Sequence, residues 1–288
     1  MDNHSTNILI SVFRGCRLAL HFLYWVLLAV IYPHLNQTRQ RRILKMWSRQ
    51  LLTIFNIGIQ IEGHQPARGE GGCLMVANHV SWLDIFVLNA IYPSRFIAKS
   101  EVRNWPVIGW LCQQSGTIFI ERDMRQDVTS VNLRVSALLK QGVCVGLFPE
   151  GTTTDGKGVG YFHSSLIQPA IDAEARLCPV ALRYQNEQGE LSNAAAFTGD
   201  TTLVRSIWRI LRSSHHNALI AFTPALIATN ENRRVLARAA QQAIAEALLN
   251  IAAKRQNPGM PTSFARPQTL FSTQSAYVLL LNPNLADD

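Results

Sequence analysis

From about residue 56 onward, short apolar runs alternate with stretches whose apolar positions recur every three or four residues. The runs at 57–62, 73–77, 95–98, 117–120, 143–148, 179–184 and 219–222 predict β-strands. Between them, 82–91, 105–114, 128–141, 164–173 and 202–212 predict helices, and an alanine-rich helix over 232–250 follows a cap around Thr229 and Asn230. This alternation predicts an α/β fold, a mostly parallel central sheet flanked by helices, over residues 56–256. In such folds sites gather where strands end and loops begin. The tail 257–288 is rich in Pro, Ser, Thr and Asn and predicts a loosely ordered segment, although Tyr277-Val278-Leu279-Leu280-Leu281 is apolar enough to dock.

Residues 1–55 follow a different pattern, that of an N-terminal membrane-associated helical pair. Residues 8–32 are strongly apolar but interrupted by Arg14 and Arg17; the uninterrupted part, Leu18 to Tyr32, is fifteen residues long and includes His21. Spanning about 30 Å of hydrocarbon takes roughly twenty residues. The stretch therefore predicts an anchor that dips into one leaflet, or spans only if Ile8–Ile10 extend it and the arginines snorkel. Tyr32-Pro33-His34-Leu35 lacks the small residues of a cleavage site, which argues against a cleaved signal peptide. Next, Ile43, Leu44, Trp47, Leu51, Ile54 and Phe55 recur at helical spacing, with Arg39, Arg41, Arg42, Lys45 and Arg49 gathered towards the N-terminal end. Basic residues with Trp on an amphipathic helix favour an anionic bilayer surface over a basic face merely turned to solvent.

Composition sharpens this picture. Hydrophobic residues make up 48% of the 288 and charged ones 16%, with 27 basic against 19 acidic residues and a formal charge of +8. A basic, apolar-rich chain points to a membrane or a nucleic acid. No recognition motif or interleaving of basic and aromatic residues supports nucleic acid, which leaves the membrane. The five cysteines (Cys16, Cys73, Cys112, Cys144, Cys178) are odd in number, scattered and without a CxxC, and predict reduced, buried thiols.

The candidate chemistry begins with Asn78-His79-Val80-Ser81-Trp82-Leu83-Asp84, directly after the apolar run 73–77. An imidazole and a carboxylate are the minimal apparatus for taking a proton from an alcohol. On one ideal helix a five-residue offset separates side chains by about 140°, so the pair meets only if His79 precedes the helix. Ser81-x-x-Asp84 reads as a capping box, with Ser81 at the N-cap, which puts His79 there. A second motif, Gly116-Thr117-Ile118-Phe119-Ile120-Glu121-Arg122, delivers a guanidinium at a strand end, and Arg matches a phosphate in bidentate geometry. In a third, the strand at 143–148 runs into Pro149-Glu150-Gly151-Thr152-Thr153-Thr154. That loop offers backbone N–H groups and hydroxyls to an anion, and Glu150 to a substrate hydroxyl. Gly151 to Lys157 is similar to a phosphate-cradling P-loop, but Gly158 stands where the Mg²⁺-ligating Ser or Thr belongs, which excludes it. Leu177-Cys178-Pro179-Val180-Ala181-Leu182 reads on its own as core.

Together and in this order, the four blocks resemble those of the glycerolipid acyltransferase family, including the lysophosphatidate acyltransferases: NHxxxxD at Asn78–Asp84, GxxFIxR at Gly116–Arg122, FPEGTxS-like at Phe148–Thr154, and an apolar block with Pro at Leu177–Leu182. Thr154 stands where Ser is common, and His163 where many relatives carry Lys. The resemblance covers about residues 56–225. It implies that His79 is the catalytic base oriented by Asp84, and that Gly116, Arg122, Glu150, Gly151 and Thr152 bind the acceptor, with Pro179 shaping the donor side; for Lys99 a lysine merely turned to solvent is favoured over a second phosphate contact. It further implies acyl transfer from acyl-CoA or acyl-carrier protein to the free hydroxyl of lysophosphatidate, without metal or cofactor, at the cytosolic face of a membrane whose lipids supply the acceptor. Transfer to another lyso-lipid such as a lyso-ornithine lipid, or a non-catalytic lipid-binding role, are the alternatives.

Overall fold

The structure is a computed structural model and describes residues 6–66, 71–121 and 124–256. Two helices come first. α1 (Ile8–Ile31) starts where the Asn7 side chain accepts from Leu9 N. A short 3-10 turn with Pro33 then leads to α2 (Gln37–Ile54), capped by Asn36 accepting from Arg39 N. After β1 (Ile57–Glu62) and β2 (Cys73–Ala77) come α3 (Asp84–Asn89), β3 (Arg95–Lys99), α4 (Ile108–Gln114), β4 (Ile118–Ile120) and α5 (Arg125–Lys140). β5 (Val145–Leu147), α6 (Gln168–Asp172), β6 (Arg176–Asn186), α7 (Leu203–Arg212), β7 (His216–Phe222), β8 (Leu226–Ile227) and α8 (Arg233–Gln256) complete the order.

Among the described residues eight strands form one sheet in the order β1-β7-β6-β2-β5-β3-β4, with β8 on β6. β1–β7, β2–β6, β2–β5, β3–β5 and β3–β4 pair in parallel, while β6–β7 and β6–β8 are antiparallel, so the sheet is mostly parallel, as the pattern predicts. β2 is buried on both faces. Cys73, Met75 and Ala77 face a cluster with Trp47, Leu51 and Leu83, whereas Leu74 and Val76 face one with Val135, Ala170 and Ile244. Helices therefore cover both sides of the sheet: α1, α2, α3 and α7 on one, α5, α6 and α8 on the other.

Several boundaries differ from the pattern, each for a local reason. The helix expected from 105 begins at Ile108, because Pro106 and a left-handed Val107 (φ 62°) break the chain first. Residues 164–173 split into a 3-10 turn and α6, with Pro169 in the first turn of the latter. The cap of α8 is Asn232, whose Oδ1 accepts from Arg234 N, rather than Thr229 or Asn230. Cys73, Cys144 and Cys178 are buried as expected, but Cys16 is exposed on α1.

The apolar face of α2 is turned inward: Leu44, Trp47, Leu51 and Ile54 are buried, and Trp47 stacks on Trp25 and His21 of α1. α1 packs along the protein, touching α2, α4 and α7. The first of the two interrupting arginines has a structural place, since Arg14 Nη1 donates to Leu211 O (3.3 Å) and Ser213 O (3.1 Å) at the end of α7. A cation suits that end of a helix. The opposite face of α1 stays uncovered, with Leu9, Phe13, Leu20, Leu23, Leu27 and Val30 all more than half exposed. Ile8–His34 is long and apolar enough to cross a membrane.

Candidate active site

The site forms where β2 ends. The β2–β6 ladder stops at Ala77 opposite Val180, and the Asn78 side chain continues it. Its amide donates to Leu182 O (2.9 Å) and accepts from Leu182 N (2.7 Å), replacing a peptide group where the two chains begin to part. His79 is thus the first residue free of the sheet.

Three separate groups hold His79. Its N–H donates to Glu150 Oε1 (2.8 Å). Its carbonyl accepts from Thr154 N (2.8 Å) and Thr154 Oγ1 (3.1 Å). Its ring lies flat on Phe148, with centroids 4.0 Å apart, and Phe148 in turn stacks on Phe96. Nδ1 is 2.8 Å from Asp84 Oδ2, and the side chain keeps 19% exposure. The pair predicted from sequence does meet.

Asp84 is fully buried and accepts four hydrogen bonds. Oδ2 takes His79 Nδ1, Val80 N (2.8 Å) and Ser81 N (2.9 Å); Oδ1 takes the Tyr184 hydroxyl (2.8 Å). The expected capping box is half formed. Asp84 reaches back to Ser81 N, but Ser81 Oγ accepts from Leu83 N, two residues on, and the helix proper begins at Asp84. The carboxylate instead gathers the whole turn 79–81 around one oxygen, which is how it reaches a residue five positions back. Burial, reinforced by the Asp84 charge and hydrogen bond, pushes the Tyr184 phenol well above its ordinary range, so it remains a proton donor.

Glu150, expected to engage a substrate hydroxyl, is turned on the protein's own backbone. Oε1 holds His79 N and Oε2 holds Gly160 N (2.9 Å), and the residue is 6% exposed. Burial raises its carboxyl above the usual range, against the pull of those two N–H groups. Gly151 takes φ 75° at the turn closed by its N–H on Phe148 O, a conformation that favours glycine. Thr152 is exposed, whereas Thr153 donates to Phe197 O and Thr154 holds His79.

The remaining predicted residues lie further out. Gly116, at φ 80°, ends α4 next to the Arg95 side chain, so its place is that of a helix-terminating glycine. Pro179 is buried within the sheet opposite Val76, its carbonyl held by Thr223 N (3.1 Å) and Oγ1 (3.0 Å). Lys99 is exposed at the end of β3, and the ring of the exposed His163 meets Tyr161 edge-on. Arg122 lies outside the described residues. Sequence reasoning missed Asn78, Phe148 and Tyr184 as parts of the site. Asn78 opens the first block and Phe148 the third, but nothing local marks Tyr184.

A buried carboxylate beside a partly exposed imidazole favours the tautomer with Nδ1 protonated, which leaves Nε2 as the ring nitrogen able to accept a proton. Among the described residues no group of three His, Cys, Asp or Glu side chains has the arrangement of a metal site.

The acyltransferase family model matches residues 58–183, a segment that holds His79, Asp84 and Glu150 and ends one residue before Tyr184. A 1-acyl-sn-glycerol-3-phosphate acyltransferase of Neisseria meningitidis is 41% identical over 175 residues, 61% of this chain and 68% of the relative. A lyso-ornithine lipid O-acyltransferase of Pseudomonas aeruginosa is 36% identical over 233 residues, 81% of this chain and 88% of the relative. The crystal structure of a 1-acyl-sn-glycerophosphate acyltransferase from Thermotoga maritima has the same fold, with a TM-score of 0.59 at 18% identity, covering 83% of this chain and 98% of that one. The chain belongs to the glycerolipid acyltransferase family and is an acyltransferase.

Proposed function

We propose that the protein moves a fatty acyl group from acyl-CoA or acyl-carrier protein to the free hydroxyl of lysophosphatidate, giving phosphatidate. The observation that carries this reading is the state of His79, with Nδ1 tied to Asp84 and the ring kept partly open. Ser81, the nearest hydroxyl in sequence, is buried and turned to Leu83 N, so the proton that His79 takes comes from the substrate. Nε2 accepts it as the lipid oxygen attacks the thioester carbonyl. The tetrahedral intermediate collapses, the carbon–sulfur bond breaks, and the imidazolium returns the proton to the leaving thiolate. A thioester is already activated, so positioning and base catalysis carry the reaction.

Arg122 is assigned to the acceptor phosphate, with Gly151 and Thr152 completing that subsite. Glu150, Gly116 and Pro179 act through the backbone they fix. α1 packs along the protein rather than standing away from it, which favours a helix lying in one leaflet with Leu20, Leu23 and Leu27 in the lipid. The site then faces the cytosol, where thioester donors are made.

One observation favours a second reading, transfer to a lyso-ornithine lipid: the relative of that name matches 88% of its own length. Arg122 would then meet a carboxylate. Purified full-length protein, given labelled acyl-CoA or acyl-carrier protein, separates the two. Label on lysophosphatidate supports the first reading, label only on the lyso-ornithine lipid supports the second, and label on neither acceptor overturns both.

A further inference from the structure

We propose that the cleft between α1 and α2 binds the headgroup of one anionic phospholipid through Arg17, Arg42 and Arg49, as a lipid site additional to that of acyl transfer. Residues 3–61 contain Arg14, Arg17, Arg39, Arg41, Arg42, Lys45 and Arg49 and no Asp or Glu. That is +7, and the rest of the chain, with 20 basic and 19 acidic residues, carries +1. The charge therefore belongs to the helical pair.

Part of it converges on a cavity of about 370 Å³, lined by Arg17 of α1 and by Arg42, Lys45, Met46, Arg49 and Gln50 of α2. That volume is in the range of small-ligand sites, and no carboxylate lines it. On α2 these residues form a stripe at i, i+3, i+4 and i+7, apart from the buried stripe of Leu44, Trp47 and Leu51. One of the guanidinium groups is tethered before any ligand arrives, and a second lies near an aromatic ring. Arg49 Nε donates to Ala90 O (2.9 Å), and Arg17 lies 5.9 Å from the centre of the Phe13 ring. Each has further N–H donors in a planar fork suited to phosphate oxygens.

The surroundings select a lipid over a soluble phosphate. Phe13 belongs to the exposed apolar face of α1 with Leu9, Leu20 and Leu23, so the cleft opens beside that face. A molecule with its phosphate among the arginines has its acyl chains alongside α1. The inference rests on the placement of α1 in a leaflet proposed above and not on the identity of the acyl acceptor.

Native mass spectrometry of the full chain in neutral detergent tests it, with short-chain phosphatidylglycerol, phosphatidylcholine and glycerol 3-phosphate as probes. One phosphatidylglycerol adduct is expected, at concentrations at least tenfold below those at which the other two bind. The double variant Arg17→Gln/Arg42→Gln should bind it at least tenfold more weakly. Arg39→Gln/Arg41→Gln removes the same charge from the helical pair outside the cleft and should bind as the parent does; circular dichroism checks that both fold. Equal weakening in the two doubles would show diffuse attraction and overturn the proposal. Equal binding of glycerol 3-phosphate would reassign the cleft to a soluble phosphate and overturn it as well. His79→Ala should keep the adduct whatever its turnover; loss there would place the lipid in the acyl-transfer site and also sink the idea.

Discussion

His79 is fixed through its N–H, its carbonyl and its ring by Glu150, Thr154 and Phe148, and the Asp84 contact adds orientation. Removing the ring removes the proposed base with its Phe148 and Asp84 contacts, while the bonds from Glu150 and Thr154 to the backbone of residue 79 remain. His79→Ala should lower kcat by about 10²–10⁴-fold, the usual contribution of a general base, with little change in the thermal unfolding midpoint. Full turnover in that variant would eliminate His79 as the base. Tyr184→Phe acts differently. It leaves buried Asp84 Oδ1 without its donor, which costs about 1–3 kcal/mol. A lower denaturation midpoint with a reduced kcat and an unchanged KM is expected; an unchanged midpoint would mean that the hydroxyl does not hold Asp84. His79 and Asp84 are legible in the sequence because they lie within one turn of chain. Tyr184 is not, because it reaches Asp84 from one hundred residues away, on a strand that reads only as apolar.

At the scale of elements, Glu150 ties the end of β2 to the loop after β5, using one oxygen for each. A Cβ on Gly160 would lie 2.6 Å from Glu150 Oε2, so Gly160→Ala should displace the carboxylate and lower both stability and kcat, although residue 160 touches no reacting atom in the proposed mechanism. Gly146 sits below the other support. A Cβ there would fall 2.3 Å from the Phe96 ring, which stacks on Phe148 and through it on His79. Gly146→Ala should cost about 1–3 kcal/mol by overpacking, and a melt indistinguishable from the parent's would contradict this geometry. Strand positions are readable because two-sided burial makes a strand apolar throughout, as at Cys73–Ala77. Element ends are less so. The sequence does not show that Asn78 extends β2 by a side chain, nor that a left-handed Val107 delays α4. The role of Glu150 is hidden as well, because its second partner, Gly160, lies across a loop without regular pattern.

For the molecule as a whole, the uncovered face of α1 is expected to decide where the protein resides. Leu20, Leu23 and Leu27 are 67%, 56% and 64% exposed, so replacing all three with Glu removes apolar surface that supports no packing. The triple variant should move from the membrane pellet to the supernatant on cell fractionation with an unchanged circular dichroism spectrum. Retention in the pellet would shift the burden of attachment to other surfaces. The amphipathic pattern of α2 is plain in the sequence, but a helix whose apolar stripe faces protein has the same periodicity as one that faces lipid. Only the partners of that stripe, Trp25 and the core under the sheet, distinguish them.

The bond from Arg14 to Leu211 also sets an order in time. Its partners lie 197 residues apart in the chain, a gap that takes about 10–40 s to synthesise at 5–20 residues per second. During that interval α1 has emerged with its apolar face bare and the end of α7 does not yet exist. On the proposed placement of α1 in a leaflet, the bilayer is the surface that covers this face first, and lipid capture is expected to precede closure of the domain. On that placement the sheet assembles against a helix already at the membrane, and the enzyme is expected to finish folding where its proposed lipid acceptor resides.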